Sequence, residues 1–128
     1  MIHVSLQLDE FGRLACRLED KESNATVSCA DAREGLLALS GALDDLEKDG
    51  TGECFWLQSG GEYRWVFRRL DERVRLAVLW CSSVAIGFQH VFWAECPYTE
   101  LVGRLRAEIA DFSVQLVTEV TSPTDRAG

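Results

Sequence analysis

The sequence predicts an α+β fold: one antiparallel sheet, in the element order βββ-α-ββββ-α, with two amphipathic helices packed on it. Short runs with a period of two alternate with clusters of turn-forming residues, as in half-buried antiparallel strands. Two longer segments instead repeat their leucines at spacings of three and four, as one face of a helix does. With 128 residues and 47% hydrophobic content, the chain predicts a single domain over residues 1–120. A flexible tail without a hydrophobic anchor is predicted over residues 121–128.

Three short strands are predicted at the start of the chain, over residues 2–8, 14–18 and 25–29. In each run apolar residues alternate with polar ones, which places the apolar set on one face of a sheet. The third strand would form a sheet edge. Its open backbone groups could pair with a second copy of the chain in a homodimer, or with a strand of a partner.

The first helix is predicted over residues 32–48. Asp31 is a natural N-cap, and Gly50 ends the helix. Gly35 and Gly41 either weaken the helix interior or allow the helix to lie close on the sheet. The apolar stripe of this helix consists of Leu36, Leu39, Leu43 and Leu46.

The segment over residues 53–93 is predicted to form four further antiparallel strands. Its last run, residues 84–93, contains Gly87, which indicates a bulge or a close approach by another group. The aromatic side chains of this segment are predicted to pack in the core, since aromatic residues bury the largest area. The segment contains all four tryptophans of the chain, Trp56, Trp65, Trp80 and Trp93.

The second helix is predicted over residues 97–117. Pro97 fits its first turn, because the missing N–H of proline costs nothing there. The apolar stripe of this helix consists of Leu101, Leu105, Ile109, Phe112 and Leu116.

Composition argues against several classes of protein. The formal net charge is -8 and the pI is about 4.7, which argues against free nucleic acid as a partner because phosphate binding needs clustered Lys and Arg. No run of ~18 apolar residues is present to span a membrane. The five cysteines and two histidines show no zinc-ligand spacing, so no metal site and no other cofactor is predicted. The cysteines are expected to be reduced and buried, as in a cytosolic protein.

The strongest candidate site is an acidic cluster around the end of the first helix. Residues 31–53 contain seven acids against two bases, a local charge of -5. Such a cluster could meet a basic active site on a partner, with carboxylates in place of phosphates. A solvated helix face is the alternative interpretation. The predicted partner-binding residues are Asp44, Asp45, Glu47, Asp49 and Glu53.

The chain resembles the small acidic immunity proteins of bacterial polymorphic-toxin and contact-dependent inhibition systems. The resemblance rests on its size, its acidity, the tryptophan-rich meander GEYRWVFRRLDERVRLAVLWCS over residues 61–82 and the closing amphipathic helix. It implies a cytoplasmic, non-enzymatic protein that binds one cognate toxin domain and blocks its active site or its substrate path. No functional residue is carried over from that family.

Two other functions remain open. Type III secretion chaperones are also small, acidic α+β proteins, usually dimeric, that hold an unfolded effector segment on apolar grooves; they typically open with a helix, whereas this chain opens with a strand. A small enzyme would need a reactive group, and the available pair is His90 as a base with Cys81 or Cys96 as a nucleophile. No motif surrounds these residues.

Overall fold

The computed structural model describes residues 2–84 and 87–121, with side chains described as far as residue 116. The predicted α+β class and the order of the elements are confirmed. Of the predicted tail, Thr121 ends the last helix, and residues 122–128 lie outside the described part of the chain. The elements are β1 His3–Leu8, β2 Leu14–Glu19, β3 Asn24–Cys29, α1 Ala32–Asp49, β4 Thr51–Gln58, β5 Gly61–Leu70, β6 Arg73–Ser82, β7 Gln89–Pro97 and α2 Tyr98–Thr121.

The strands form two antiparallel sheets, so the prediction of one sheet is wrong. One sheet has the order β1-β2-β3 and the other β4-β5-β6-β7. The carboxyl ends of β3 and β4 meet, where the Ala30 N–H donates to the Leu57 carbonyl at 2.9 Å and the Gln58 amide donates to the Ser28 hydroxyl. The outer edge of β3 is therefore partly covered by β4 at its carboxyl end, which leaves less of that edge open for the strand pairing predicted over residues 25–29.

Helix α1 begins and ends where its capping residues predict. The Asp31 carboxylate accepts a hydrogen bond from the Glu34 N–H at 3.0 Å, which satisfies one of the open N–H groups of the first turn. At the other end Gly50 has a φ of 82°, and its N–H donates to the Leu46 carbonyl. The predicted apolar stripe is confirmed, since all four of its leucines are buried.

The two glycines inside α1 have different surroundings. A Cβ at Gly35 would lie 3.0 Å from the Cβ of Cys29 and from Cδ2 of Leu14, so this glycine lets the helix lie close on the three-stranded sheet. A Cβ at Gly41 would meet nothing within 4 Å. The close-packing interpretation therefore holds for Gly35 and not for Gly41.

The last strand is shorter than its sequence predicts. It begins at Gln89 rather than at residue 84, and Gly87, with a φ of 103°, precedes the strand instead of lying within it. The irregularity lies at Val91, which has no partner in the register with β6. Residues 85 and 86 lie outside the described part of the chain.

Helix α2 follows β7 without a loop. It begins at Tyr98, because Pro97 ends the strand instead of opening the helix, and it runs to Thr121. Within residues 2–84 and 87–121, no helix is long and apolar enough to cross a membrane. The predicted stripe faces the core, with Leu101, Leu105 and Phe112 buried and with Ile109 and Leu116 packed against the same cluster.

The aromatic core is built around two tryptophans. Trp56 and Trp65 are fully buried with ring centroids 4.8 Å apart, and the Trp56 indole N–H donates to the Gly35 carbonyl at 3.0 Å. Trp80 is half-buried, whereas Trp93 is 48% exposed. The prediction of a core position is therefore confirmed for Trp56 and Trp65 and is wrong for Trp93.

Two glutamates of α2 cover the open edge of β1. The Ile2 N–H donates to the Glu100 carboxylate at 3.2 Å, and the Leu6 N–H donates to the Glu108 carboxylate at 2.9 Å. Eight helical residues rise about 12 Å, and four strand residues span roughly 13 Å. The spacing of the two glutamates along α2 therefore matches the spacing of the two N–H groups along the strand edge. The helix satisfies N–H groups that could otherwise pair with another strand.

Glu108→Ala is expected to lower the free energy of unfolding by about 1–2 kcal/mol, because the Leu6 N–H loses a charged acceptor. Urea denaturation of the purified chain measures this. Glu108→Gln is the control, since its amide oxygen can still accept and should retain most of the stability. Equal destabilisation by both variants would contradict the assigned role of Glu108 as a hydrogen-bond acceptor.

Candidate protein-binding surface

The predicted acidic residues lie at one corner of the fold, where α1 ends and β4 begins. Four of them lie in the last two turns of α1, and the fifth is on β4, after the Gly50 cap. All five side chains are exposed. They are Asp44, Asp45, Glu47, Asp49 and Glu53.

Two of these acids connect the two helices. Arg106 of α2 donates to the Asp44 carboxylate at 2.8 Å and also to the Glu47 carboxylate. Hydrogen bonding to Glu47, with a second bond to Asp44, raises the pKa of Arg106. Asp44 and Glu47 are therefore partly neutralised within the chain and help to position α1 against α2.

A third acid, Glu53, is paired across β4 and β5. It accepts from Arg64, its diagonal neighbour on β5, which lies opposite Phe55. The Arg64 guanidinium also lies 5.9 Å from the centroid of the Phe55 ring and 5.7 Å from that of Phe88. Glu53 thus joins the acidic corner to an aromatic surface on the sheet.

Asp45 and Asp49 have no ion-pair partner among the described residues. Both line a shallow groove of about 600 Å³, whose other walls include Glu53 and Arg68. The groove is open to solvent along the junction between α1 and β4. It presents two carboxylates that a basic group from outside the chain can reach, and we call it the acidic groove.

The position of these carboxylates works against the stability of the helix. The carboxyl end of a helix carries partial negative charge, so an acid in the last turn, here Asp49, costs about 0.3–1 kcal/mol. Asp45 and Asp49 also form a like-charge pair at i,i+4, which is unfavourable by a further ~0.2–0.5 kcal/mol. Lys48 is the only base in the last turn of α1. Helix stability therefore does not explain these acids.

A second surface lies on the face of the four-stranded sheet that points away from α1, which we call the outer sheet face. Alternation along the paired strands places every second residue of β4 to β7 on this face. Its apolar residues are Phe55, Leu57, Val66, Ala77, Leu79 and Trp93. Its charged residues are Glu53, Arg64, Arg68, Glu62, Arg73, Arg75 and Glu95.

The exposure of aromatic and apolar side chains on this face was missed by the sequence prediction. Phe55 is 44% exposed and Leu57 is 55% exposed. The alternation contains the missing signal, because Phe55 has the opposite parity to the buried Trp56, and Trp93 has the opposite parity to the buried Phe92. A strand with aromatics at adjacent positions must present one of them on each face.

The five cysteine thiols all have a raised pKa. Burial raises the pKa of every cysteine thiol, to about 12 for Cys54 and about 11 for Cys96, whereas a nucleophilic cysteine needs a lowered pKa. Cys96 is buried on the inner side of β7 and His90 is exposed on the outer side, so these two cannot form the base and nucleophile pair. Cys81 shares the outer side with His90, but its thiol is protonated at neutral pH. No group of three or more His, Cys, Asp or Glu that could hold a metal ion occurs within the described residues.

The chain matches no protein-family model, no curated protein and no solved structure.

Proposed function

We propose that this chain is a non-enzymatic binding protein that neutralises a cognate bacterial toxin domain by forming a tight protein–protein complex. The observation that carries the proposal is the set of uncompensated carboxylates, Asp45 and Asp49, at the carboxyl end of a helix, where they lower stability. Residues that conflict with local stability are expected at functional sites. The resemblance to immunity proteins implies the class of partner and a cytoplasmic location, and both are part of the proposal.

The partner should carry a basic surface that fits the acidic groove. With a net charge of -8, the chain attracts a cationic domain over a distance, and this steering speeds association. Asp45 and Asp49 would meet the basic groups directly. Glu53, Asp44 and Glu47 would surround them, each already held by an arginine of the chain. Binding of this kind weakens as salt is raised.

The test begins with capture of the partner. The tagged chain, added at low salt to a lysate of its source cells, should retain a toxin-like domain that is released by high salt. That domain, cloned and induced in a bacterial host, should arrest growth, and co-expression of the chain should restore it. Rescue of growth is the direct readout of neutralisation.

Asp45→Lys/Asp49→Lys is expected to weaken binding of the captured domain by at least about a hundredfold, because each reversal replaces an attraction by a like-charge repulsion of several kcal/mol. Calorimetry measures the affinity, and the growth assay should show loss of rescue. Asp44 and Glu47 are left unchanged in this variant, since reversing them would also break their ion pairs with Arg106.

The matched control is Glu10→Lys/Glu22→Lys, which changes the net charge by the same amount at exposed turns of the three-stranded sheet. It should retain rescue and most of the affinity. An equal loss of affinity in both variants would show that only the net charge matters, and it would contradict the acidic groove as the binding site. Capture of a secreted effector, held by its N-terminal segment, would instead overturn the toxin assignment in favour of a secretion chaperone.

A further inference from the structure

The outer sheet face is an unpartnered apolar surface in the described part of the chain. Both helices lie elsewhere: α1 packs on the inner side of β4, and α2 packs on β1 and the inner ends of β6 and β7. Phe55, Leu57 and Trp93 stand on the outer side with about half of each side chain exposed. Between them Val66, Ala77 and Leu79 form a half-buried apolar floor. Exposed apolar surface of this kind marks an interaction site.

Charge separates this face from the rest of the molecule. Its four arginines and three glutamates give this face a net charge of +1. Because the whole chain has a formal net charge of -8, the residues outside the face have a net charge of -9. The rest of the chain has a net negative charge, so charge repulsion on average opposes a contact between two copies through it. On the outer sheet face both signs of charge alternate, and the face can complement a second copy of itself.

One local conflict on the face also favours a second copy. Arg68 and Arg75 lie directly opposite each other on β5 and β6, and like charges in this arrangement are destabilising. Arg75 is paired with Glu95, but Arg68 has no ion-pair partner among the described residues. A glutamate of a second copy would supply the missing carboxylate.

The size of the face fits a weak dimer. Four strands about 4.8 Å apart, with roughly eight residues at about 3.4 Å each, give a footprint of roughly 500 Å². A standard interface buries about 800 Å² on each partner, and smaller ones belong to weak, reversible contacts. A dimer through this face is therefore expected to dissociate in the micromolar range.

We propose that the outer sheet faces of two copies of the chain pack against each other about a twofold axis, with Trp93 and Phe55 as anchors. A twofold dimer uses the same patch on both copies, so one patch with both signs of charge is sufficient. The inference goes beyond the proposed function and does not depend on it. The anchors Phe55 and Trp93 are distinct from Asp45 and Asp49 of α1, although Glu53 and Arg68 belong to both the acidic groove and the outer sheet face.

Sedimentation equilibrium of the full chain tests the dimer, from low micromolar to several hundred micromolar. The wild-type chain should pass from monomer to dimer over this range. Phe55→Ser/Trp93→Ser should raise the dissociation constant at least about tenfold, because aromatic anchors buried in an interface carry a large share of its binding energy. Raising the salt from about 0.05 to about 0.5 M should strengthen the dimer, since it screens the repulsion between two acidic chains. The toxin complex should respond in the opposite direction.

Phe11→Ser/Leu37→Ser is the matched control, because both residues are large, apolar and exposed but lie outside the outer sheet face. This variant should dimerise as the wild type does, and circular dichroism should show the same fold for all three chains. A wild-type chain that stays monomeric throughout, or association that survives in Phe55→Ser/Trp93→Ser, would overturn the dimer. Loss of toxin capture in that variant, with a monomeric wild type, would assign the face to the toxin instead.

Discussion

Gly52→Ala is expected to destabilise the protein by about 3 kcal/mol or more, since adding a methyl group to a tightly packed position forces the backbone to move. A Cβ at Gly52 would lie 2.0 Å from the carbonyl oxygen of Ala42 and 2.9 Å from its carbonyl carbon. Both atoms belong to the backbone of α1, so no side-chain rotation can relieve the clash. Chemical denaturation at equilibrium gives the change in the free energy of unfolding.

Gly41→Ala is the matched control, because it adds the same methyl group one residue before Ala42, on α1. There the new Cβ meets nothing within 4 Å, and replacing a glycine in a helix interior stabilises by about 0.5–1 kcal/mol. The two alanine variants should therefore move the stability in opposite directions. A Gly52→Ala protein as stable as the wild type would contradict the close contact between the α1 backbone and β4 at this position.

The close approach of α1 to β4 at Gly52 also determines the shape of the acidic groove. Asp45 and Asp49 are on α1, whereas Glu53 follows Gly52 on β4, so the distance between helix and strand sets the width of the groove. If Gly52→Ala folds, the displaced helix should also change the affinity for a partner bound there. Gly41→Ala should leave that affinity unchanged.

The features that the sequence predicted correctly depend on residues close together in the chain. Asp31 and Gly50 mark the ends of α1 through hydrogen bonds within four residues. The leucine stripes and the period of two likewise report one element at a time. This is why the α+β class, the element order and both apolar helix faces follow from the sequence.

The arrangement of the strands depends on residues far apart, and there the sequence prediction failed. Alternation shows which side chains share a face, but it does not show which strands are neighbours, so the division into two sheets was missed. Val91 shifts the register of β7 by one residue, and a shift of this kind changes which side chains face the core. This shift places His90 on the outer side although Phe92 is buried, whereas the exposed position of Trp93 follows from its alternation with Phe92.

The candidate site was predicted as one uniform cluster, and the structure divides it. Asp44 and Glu47 meet Arg106, which lies 62 and 59 residues further along the chain. Only the packing of α2 on α1 brings them together, so no local pattern could separate these structural acids from Asp45 and Asp49. All five acids are exposed as predicted, and their role in binding stays a prediction.

Trp56→Ala is expected to lower the free energy of unfolding by about 3–5 kcal/mol, the usual cost of removing a large aromatic side chain from a core. Trp56 is fully buried, packs 4.8 Å from the ring of Trp65 and donates to the Gly35 carbonyl of α1. Its loss would leave a cavity between the four-stranded sheet and the helix and would remove a hydrogen bond that connects them. Thermal and urea unfolding, followed by circular dichroism, measure the loss.

Trp93→Ala is the matched control, because it makes the same chemical change on the outer side of the same sheet. A difference in the free energy of unfolding between the two variants is then due to burial. Because Trp93 is about half exposed, its removal should change the stability of the monomer by less than about 1 kcal/mol. Trp56→Phe should lie between the two, since it keeps most of the buried ring and loses only the N–H donor and part of the volume. Similar losses for Trp56→Ala and Trp93→Ala at concentrations where the chain is monomeric would contradict the assignment of Trp56 to the core and of Trp93 to the surface.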